Sequence, residues 1–217
     1  MRTMMIAVLI GLAVAACSGS PEPAAPNATS TTTAPRVVGT PSTVDRTGPS
    51  EAVAECLETR GWDTGPKEAA PYSTDALYLV RAGQHECFDR VVFDVNGAAA
   101  VGYSVRYVPV VAEDGSGKPM PVPGSAALEV VVHAPEQGYD DSGHQPGVVL
   151  ARSGDYFYTE SQLAGWRSLR AVRFAGFFEG QCTIAVGVAE TLPFTVSTSL
   201  DGATRHVVVD VAHPVRK

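Results

Sequence analysis

Residues 169–213, LRAVRFAGFFEGQCTIAVGVAETLPFTVSTSLDGATRHVVVDVAH, decide the fold class of this chain. Four runs rich in β-branched and aromatic residues follow one another with short polar turns between them, leaving no room for a long helix. The turns carry what hairpins demand. Phe178-Glu179-Gly180-Gln181 places a glycine where positive φ is needed, and Ser199-Leu200-Asp201-Gly202-Ala203 puts Asp directly before Gly. The stretch predicts four strands in an antiparallel meander, and the rest of the domain must supply the strands that complete the sheet.

Upstream, the same signals predict strands over 76–81, 88–95, 103–110 and 126–134, with a looser aromatic patch at 155–158. Asn96-Gly97 reads as a hairpin turn, and Asp114-Gly115-Ser116-Gly117 followed by Pro119, Pro121 and Pro123 as a longer connection. About eight short alternating strands predict an all-β fold, an antiparallel β-sandwich over 76–213. One short helix precedes it. Over 49–62, PSEAVAECLETRGW, Ser50 serves as N-cap, and Ala52, Val53, Cys56 and Leu57 share a face before Gly61. Residues 51–75 are therefore a helix and linker, and 136–147, EQGYDDSGHQPG, a polar loop.

The N-terminus reads differently. Residues 1–16, MRTMMIAVLIGLAVAA, combine Arg2, an apolar run too short to span a bilayer, and small residues ending at Cys17. Val14-Ala15-Ala16-Cys17 resembles a lipobox, so the segment is expected to be a lipoprotein signal peptide and Cys17 the lipid-bearing residue, its acyl chains (palmitate among them) forming the membrane anchor. Residues 17–50 then hold this cysteine and a tether of Ser, Thr, Pro, Ala and Gly with little to bury. Such a chain would place the domain roughly 30 Å from the lipid surface. The expected location is the outer face of the cytoplasmic membrane, in the cell envelope.

Two strands share a pattern. Arg90-Val91-Val92-Phe93-Asp94-Val95 and His206-Val207-Val208-Val209-Asp210-Val211 both read basic or His, Val, Val, apolar, Asp, Val. Alternation turns Val91, Phe93 and Val95, and likewise Val207, Val209 and Val211, to the core. The similarity suggests two sheets of related design.

The formal net charge is −7, and a mature chain without Arg2 carries −8. That disfavours nucleic acid and unaided adhesion to anionic lipid, and wall polyanions too unless a local basic face exists. With Cys17 lipidated, Cys56, Cys87 and Cys182 allow one disulfide and leave one thiol. Strand phase turns Cys87 and Cys182 to the core, which puts that pair first, with Cys56 to Cys87 close behind. No spacing supports zinc or a redox motif, and no cofactor is implied.

The motifs of the common hydrolases and phosphate loops do not occur in the sequence. His85 and Cys87 lie two apart without an orienting third group, and Asp140, Asp141 and His144 lack the frame of a metal site. The aromatics are more informative. Alternation along 169–178 puts Val172, Phe174 and Phe178 on one face and Arg173 with Phe177 on the other. An exposed ring beside an arginine suits a ligand surface, which Trp166 and Tyr103 would extend.

Several segments together resemble a known family. RAGQHECFDRVVF at 81–93, GYSVRYV at 102–108, DGSG at 114–117, Leu169-Arg170 through FEGQ at 178–181, LPF at 192–194 and VVVDVAH at 207–213 resemble the AMIN-like domain of actinobacterial secreted proteins and lipoproteins, over about 76–213. The related AMIN domain is a small β-sandwich associated with targeting to peptidoglycan in murein amidases and pilus secretins. The resemblance implies no catalytic residues. It implies a non-catalytic module whose partner is peptidoglycan or wall glycan; the alternative is an adaptor that presents a sheet edge or the Phe177 surface to another envelope protein.

Overall fold

The computed structural model describes residues 56–136 and 150–215. The leader, Cys17, the tether, most of the expected helix and the polar loop with Asp140, Asp141 and His144 lie outside them. Residues 51–217 form a compact unit of their own.

Twelve strands are present among the described residues. The first six are β1 (Lys67–Ala69), β2 (Leu77–Gln84), β3 (Phe88–Val95), β4 (Tyr103–Val108), β5 (Val111–Ala112) and β6 (Pro119–Met120). They are followed by β7 (Ala126–Val132), β8 (Tyr156–Tyr158), β9 (Leu169–Phe178), β10 (Gln181–Val188), β11 (Phe194–Asp201) and β12 (Thr204–Ala212). A six-stranded sheet runs β1-β4-β7-β10-β9-β8, a four-stranded sheet β11-β12-β3-β2, and β5 with β6 makes a small hairpin. All pairings are antiparallel. The all-β sandwich expected from the strand pattern is the fold observed.

The main core joins the two sheets. From the four-stranded sheet come Val91, Phe93, Val95, Val207, Val209 and Val211, and from the six-stranded sheet Leu128, Val130, Val132, Val172, Phe174, Ile184 and Val186. All are in the phase that strand alternation assigns, and burying one such side chain stabilises by about 1.5–3 kcal/mol. The two sheets differ on their other faces. On the six-stranded sheet, Ala175 and Ala185 are small, and Val111 and Met120 of the β5–β6 hairpin cover them in a second cluster. A Cβ at Gly187 would lie 1.9 Å from the Pro123 carbonyl oxygen, so only glycine lets this cover lie flat.

The last four long strands do not form a meander. They are two hairpins, one in each sheet: β9–β10 in the larger and β11–β12 in the smaller. β10 already has β7 on its other side, so the chain crosses through Leu192-Pro193 to begin β11 opposite. Asn96-Gly97 is likewise no hairpin, because β3 and β4 belong to different sheets. Gly97 serves close packing instead, as a Cβ there would lie 1.7 Å from a carboxylate oxygen of Asp75. The two similar strands, β3 and β12, are neighbours in one sheet rather than counterparts in two.

The helix expected over 49–62 appears, in its described part, as a single 3₁₀ turn at Leu57–Thr59. Leu57 is exposed. Here tertiary contacts override the helical pattern: Cys56 is bonded to Cys87, the Trp62 ring packs tilted against Phe88 with centres 5.5 Å apart, and the Phe194 N–H donates to the Asp63 carbonyl at 2.9 Å. These contacts also decide the disulfide. Cys182 is fully buried in β10, one of the two middle strands of the larger sheet, whereas Cys87 precedes β3 at the end of the smaller one, with Cys56 held beside it at a Cα separation of 5.5 Å. The preferred pairing of Cys87 with Cys182 is thus corrected to Cys56 with Cys87. Cys182 carries a free thiol, which burial raises far above its ordinary pKa.

Candidate functional site

The outer face of the four-stranded sheet has no further strands packed on it among the described residues, and apart from Trp62 against Phe88 at one end its chemistry follows from the shared pattern of β3 and β12. Because the strands are antiparallel and in register, the basic residue of each meets the aspartate of the other: Arg90 lies opposite Asp210, Val92 opposite Val208, and Asp94 opposite His206. Arg90 donates through Nε at 2.6 Å and Nη2 at 2.8 Å to the two carboxylate oxygens of Asp210. Arg81, from β2, grips Asp94 in the same two-bond way at 2.6 and 2.8 Å, and His206 Nδ1 lies 2.5 Å from Asp94 Oδ1. Such forked contacts between charged groups are among the strongest hydrogen bonds proteins make.

The carboxylates are at the bottom of this arrangement and the cations on top. The side chains of Asp94 and Asp210 are 3% and 7% exposed, those of Arg81 and Arg90 49% and 34%. Burial alone would favour the neutral acid at Asp94, but Arg81 and His206 outweigh it and hold the carboxyl below its ordinary range. The same pairs raise both guanidinium pKa values. Against an ionised Asp94, His206 Nδ1 is the nitrogen that faces the carboxylate.

Between these groups lies a groove of about 350 Å³. Val92 and Val208 form its floor, with Arg81, Arg90, His85, His206 and Ser199 around it and Gly83 leaving one side open. Phe88 lies at one end of the face under His85, their rings 4.4 Å apart, with the Arg90 guanidinium 5.2 Å from the Phe88 ring centre. A larger depression of about 430 Å³, beside the β5–β6 hairpin, has no charged side chain in its lining.

A second polar cluster has a structural job. Asp89, fully buried, accepts from the Ser168 and Leu169 N–H groups at 2.7 and 3.0 Å and meets His213 Nε2 at 3.0 Å. Serine, histidine and aspartate are all present, yet Ser168 Oγ donates to the Ala212 carbonyl at 2.8 Å and not to the imidazole. The wiring activates no nucleophile. It ties the start of β9 to β3 and to the end of β12.

The four residues expected to share a ligand surface are dispersed. Phe177, Trp166 and Tyr103 are partly buried against the main core. Arg173 lies on the opposite face of its sheet, donating to the Gly154 and Pro121 carbonyls at 2.9 and 3.0 Å and sitting 5.0 Å from the centre of the Tyr156 ring. The cause is a bulge in β9. Thr183 pairs with Gly176 and Ile184 with Phe174, which leaves Ala175 extra and reverses the phase beyond it. Phe177 turns to the core side opposite Cys182, and Phe178 turns out, half exposed. Sequence reading missed Arg81, Asp94, His206, Arg90 and Asp210 as a set. The signal was the repeated pattern itself, read as two parallel designs when running it antiparallel puts each base over an acid.

The geometry defines a β-sandwich with an ion-paired outer face, its polar groups fixed by one another; Ser199 lies opposite His206 in the cross-strand register. The chain belongs to the AMIN-like domain family, whose sequence profile matches residues 75–213. AMIN-like domains are generally non-catalytic binding domains of the cell-envelope type. Comparison with curated proteins gives no significant match.

Proposed function

We propose that this protein is a lipid-anchored envelope lipoprotein, exported by the leader at 1–16 and held at the outer face of the cytoplasmic membrane through acylated Cys17. Its AMIN-like domain, carried on the tether at 17–50, binds peptidoglycan. The observation that carries this reading is the groove on the outer face of the smaller sheet, with two fixed guanidiniums, two imidazoles and a hydroxyl over an apolar floor. Membership of the AMIN-like family supports it. Sedimentation with purified sacculi tests it: the unit 51–217 should pellet with them, and a domain wholly in the supernatant would refute the reading.

A second reading, an adaptor for another envelope protein, is favoured by the edge of β11. The Phe194 N–H points away from β12 to Asp63, so alternate residues Val196, Thr198 and Leu200 direct their backbone groups the same way. Among the described residues no strand pairs with them there, and an unpaired edge is a ready template for a partner strand.

A further inference from the structure

We propose that the groove over Val92 and Val208 is a carboxylate-recognition site that takes the C-terminal end of a short peptide with small aliphatic side chains. The choice of peptide rests on the peptidoglycan reading, whose peptides offer such ends. The recognition chemistry stands on the groove's own geometry.

Each arginine spends Nε and Nη2 on its aspartate. Nη1 of each has no partner among the described residues, and both arginines line the groove. A guanidinium held by two bonds along one edge has lost most of its rotamer freedom before a ligand arrives, so an oxyanion meets donors already in place. The aspartates that hold them are buried beneath, leaving no carboxylate in the groove lining to repel an anion. Ser199 adds a hydroxyl and His206 an imidazole to the lining.

Charge balance narrows the ligand. Two guanidiniums over two carboxylates sum to nothing, and the whole chain is at −7. Long-range attraction for a polyanion is therefore absent, and what remains is short-range hydrogen bonding to one oxyanion. The floor adds the other half. Val92 and Val208 lie side by side in the cross-strand register, an apolar strip beside the cationic wall. About 350 Å³ exceeds what a lone carboxylate needs and suits one or two small residues attached to it. Gly83 opposes Arg90, and a Cβ there would meet no atom within 4 Å, so the space beside the guanidinium is open.

The test uses the ¹⁵N-labelled unit 51–217, titrated with N-acetyl-D-alanyl-D-alanine, its C-terminal amide and inorganic phosphate. The acid should give saturable shifts centred on Gly83, Val92, Ser199 and Val208, and the amide should bind at least tenfold more weakly. Gly83→Val, whose Cβ would meet no atom within 4 Å, fills the open side and should abolish the shifts while the spectrum stays dispersed. Arg81→Gln should weaken binding at least tenfold. Equal binding of acid and amide, shifts centred elsewhere, or full binding by Gly83→Val would overturn the proposal. Saturation of the same residues by phosphate more tightly than by the peptide acid would overturn it in favour of a phosphate site. Sacculus sedimentation run alongside separates the two claims. A domain that pellets but ignores the acid refutes the groove assignment alone. One that binds the acid in the groove but stays in the supernatant supports it and refutes the peptidoglycan reading.

Discussion

Phe177→Ala should cost the domain about 3 kcal/mol, and its neighbour Phe178→Ala no more than about 1 kcal/mol. The difference comes from the bulge. Gly176 takes φ +136° and Asp114 caps the extra residue, its N–H donating to the Ala175 carbonyl at 3.0 Å while its carboxylate accepts from Thr183 Oγ1 at 3.0 Å. Beyond that point Phe177 packs against the main core, whereas Phe178 is 50% exposed. Removing a fully buried phenyl ring costs about 3–5 kcal/mol, and a partly buried one falls at the low end of that range. For a domain of this size each kcal/mol moves the melting temperature by about 2–4 °C, so the two variants should fall by about 6–12 °C and less than about 4 °C. Thermal melts by circular dichroism, with urea titrations to confirm an unchanged m-value, read both numbers. A Phe177→Ala domain that melts like the wild type, or a larger loss for Phe178→Ala, would show that the strand continues in simple alternation and that the bulge is wrong.

Asp94 has its carboxyl held below the ordinary value of 3.8, so it contributes stability above about pH 4 that is lost as the pH falls through the depressed folded-state value. Stability of the wild type should therefore fall more steeply in that acid range than stability of Asp94→Asn, and parallel curves would contradict the pairing with Arg81 and His206. Reducing the Cys56–Cys87 bond, which closes a separation of 31 residues, should cost up to about 3–4 kcal/mol in the loop-entropy account. The same reductant should leave Cys56→Ser unchanged, and a reductant effect in that variant would point to a different pairing. Cys182, buried and with its thiol pKa raised, should resist iodoacetamide until the domain unfolds; labelling at the rate of a free thiol would contradict its place in β10. Cys17→Ala should release the protein from membranes, and retention through an alkaline wash would refute lipid anchoring.

Strand identity was legible because it depends on neighbours within the chain. The alternation that turns Val207, Val209 and Val211 inward can be read from six consecutive residues, and all three are fully buried. The turn glycines were legible for the same reason: Glu179 and Gly180 both take positive φ between β9 and β10, and Gly202 does so between β11 and β12. Half of the charged face was legible too, in the repeated order of basic residue, valines and aspartate. What that order meant depended on whether β3 and β12 lay in one sheet or two.

The sequence by itself determined a β-sandwich of short alternating strands, an AMIN-like domain and the inward side of most strands, because propensity, side-chain period and turn chemistry act over a few residues. The tertiary structure alone decided which strands became neighbours, which cysteines met, and where Phe177 turned. Those outcomes rest on contacts between residues far apart in the chain, such as Arg90 with Asp210 at a separation of 120 and Arg81 with Asp94 across a strand pair. A local pattern cannot choose among partners of equal propensity. The choice is made when two sheets bury a common core, and it is there that two similar strands become one charged face.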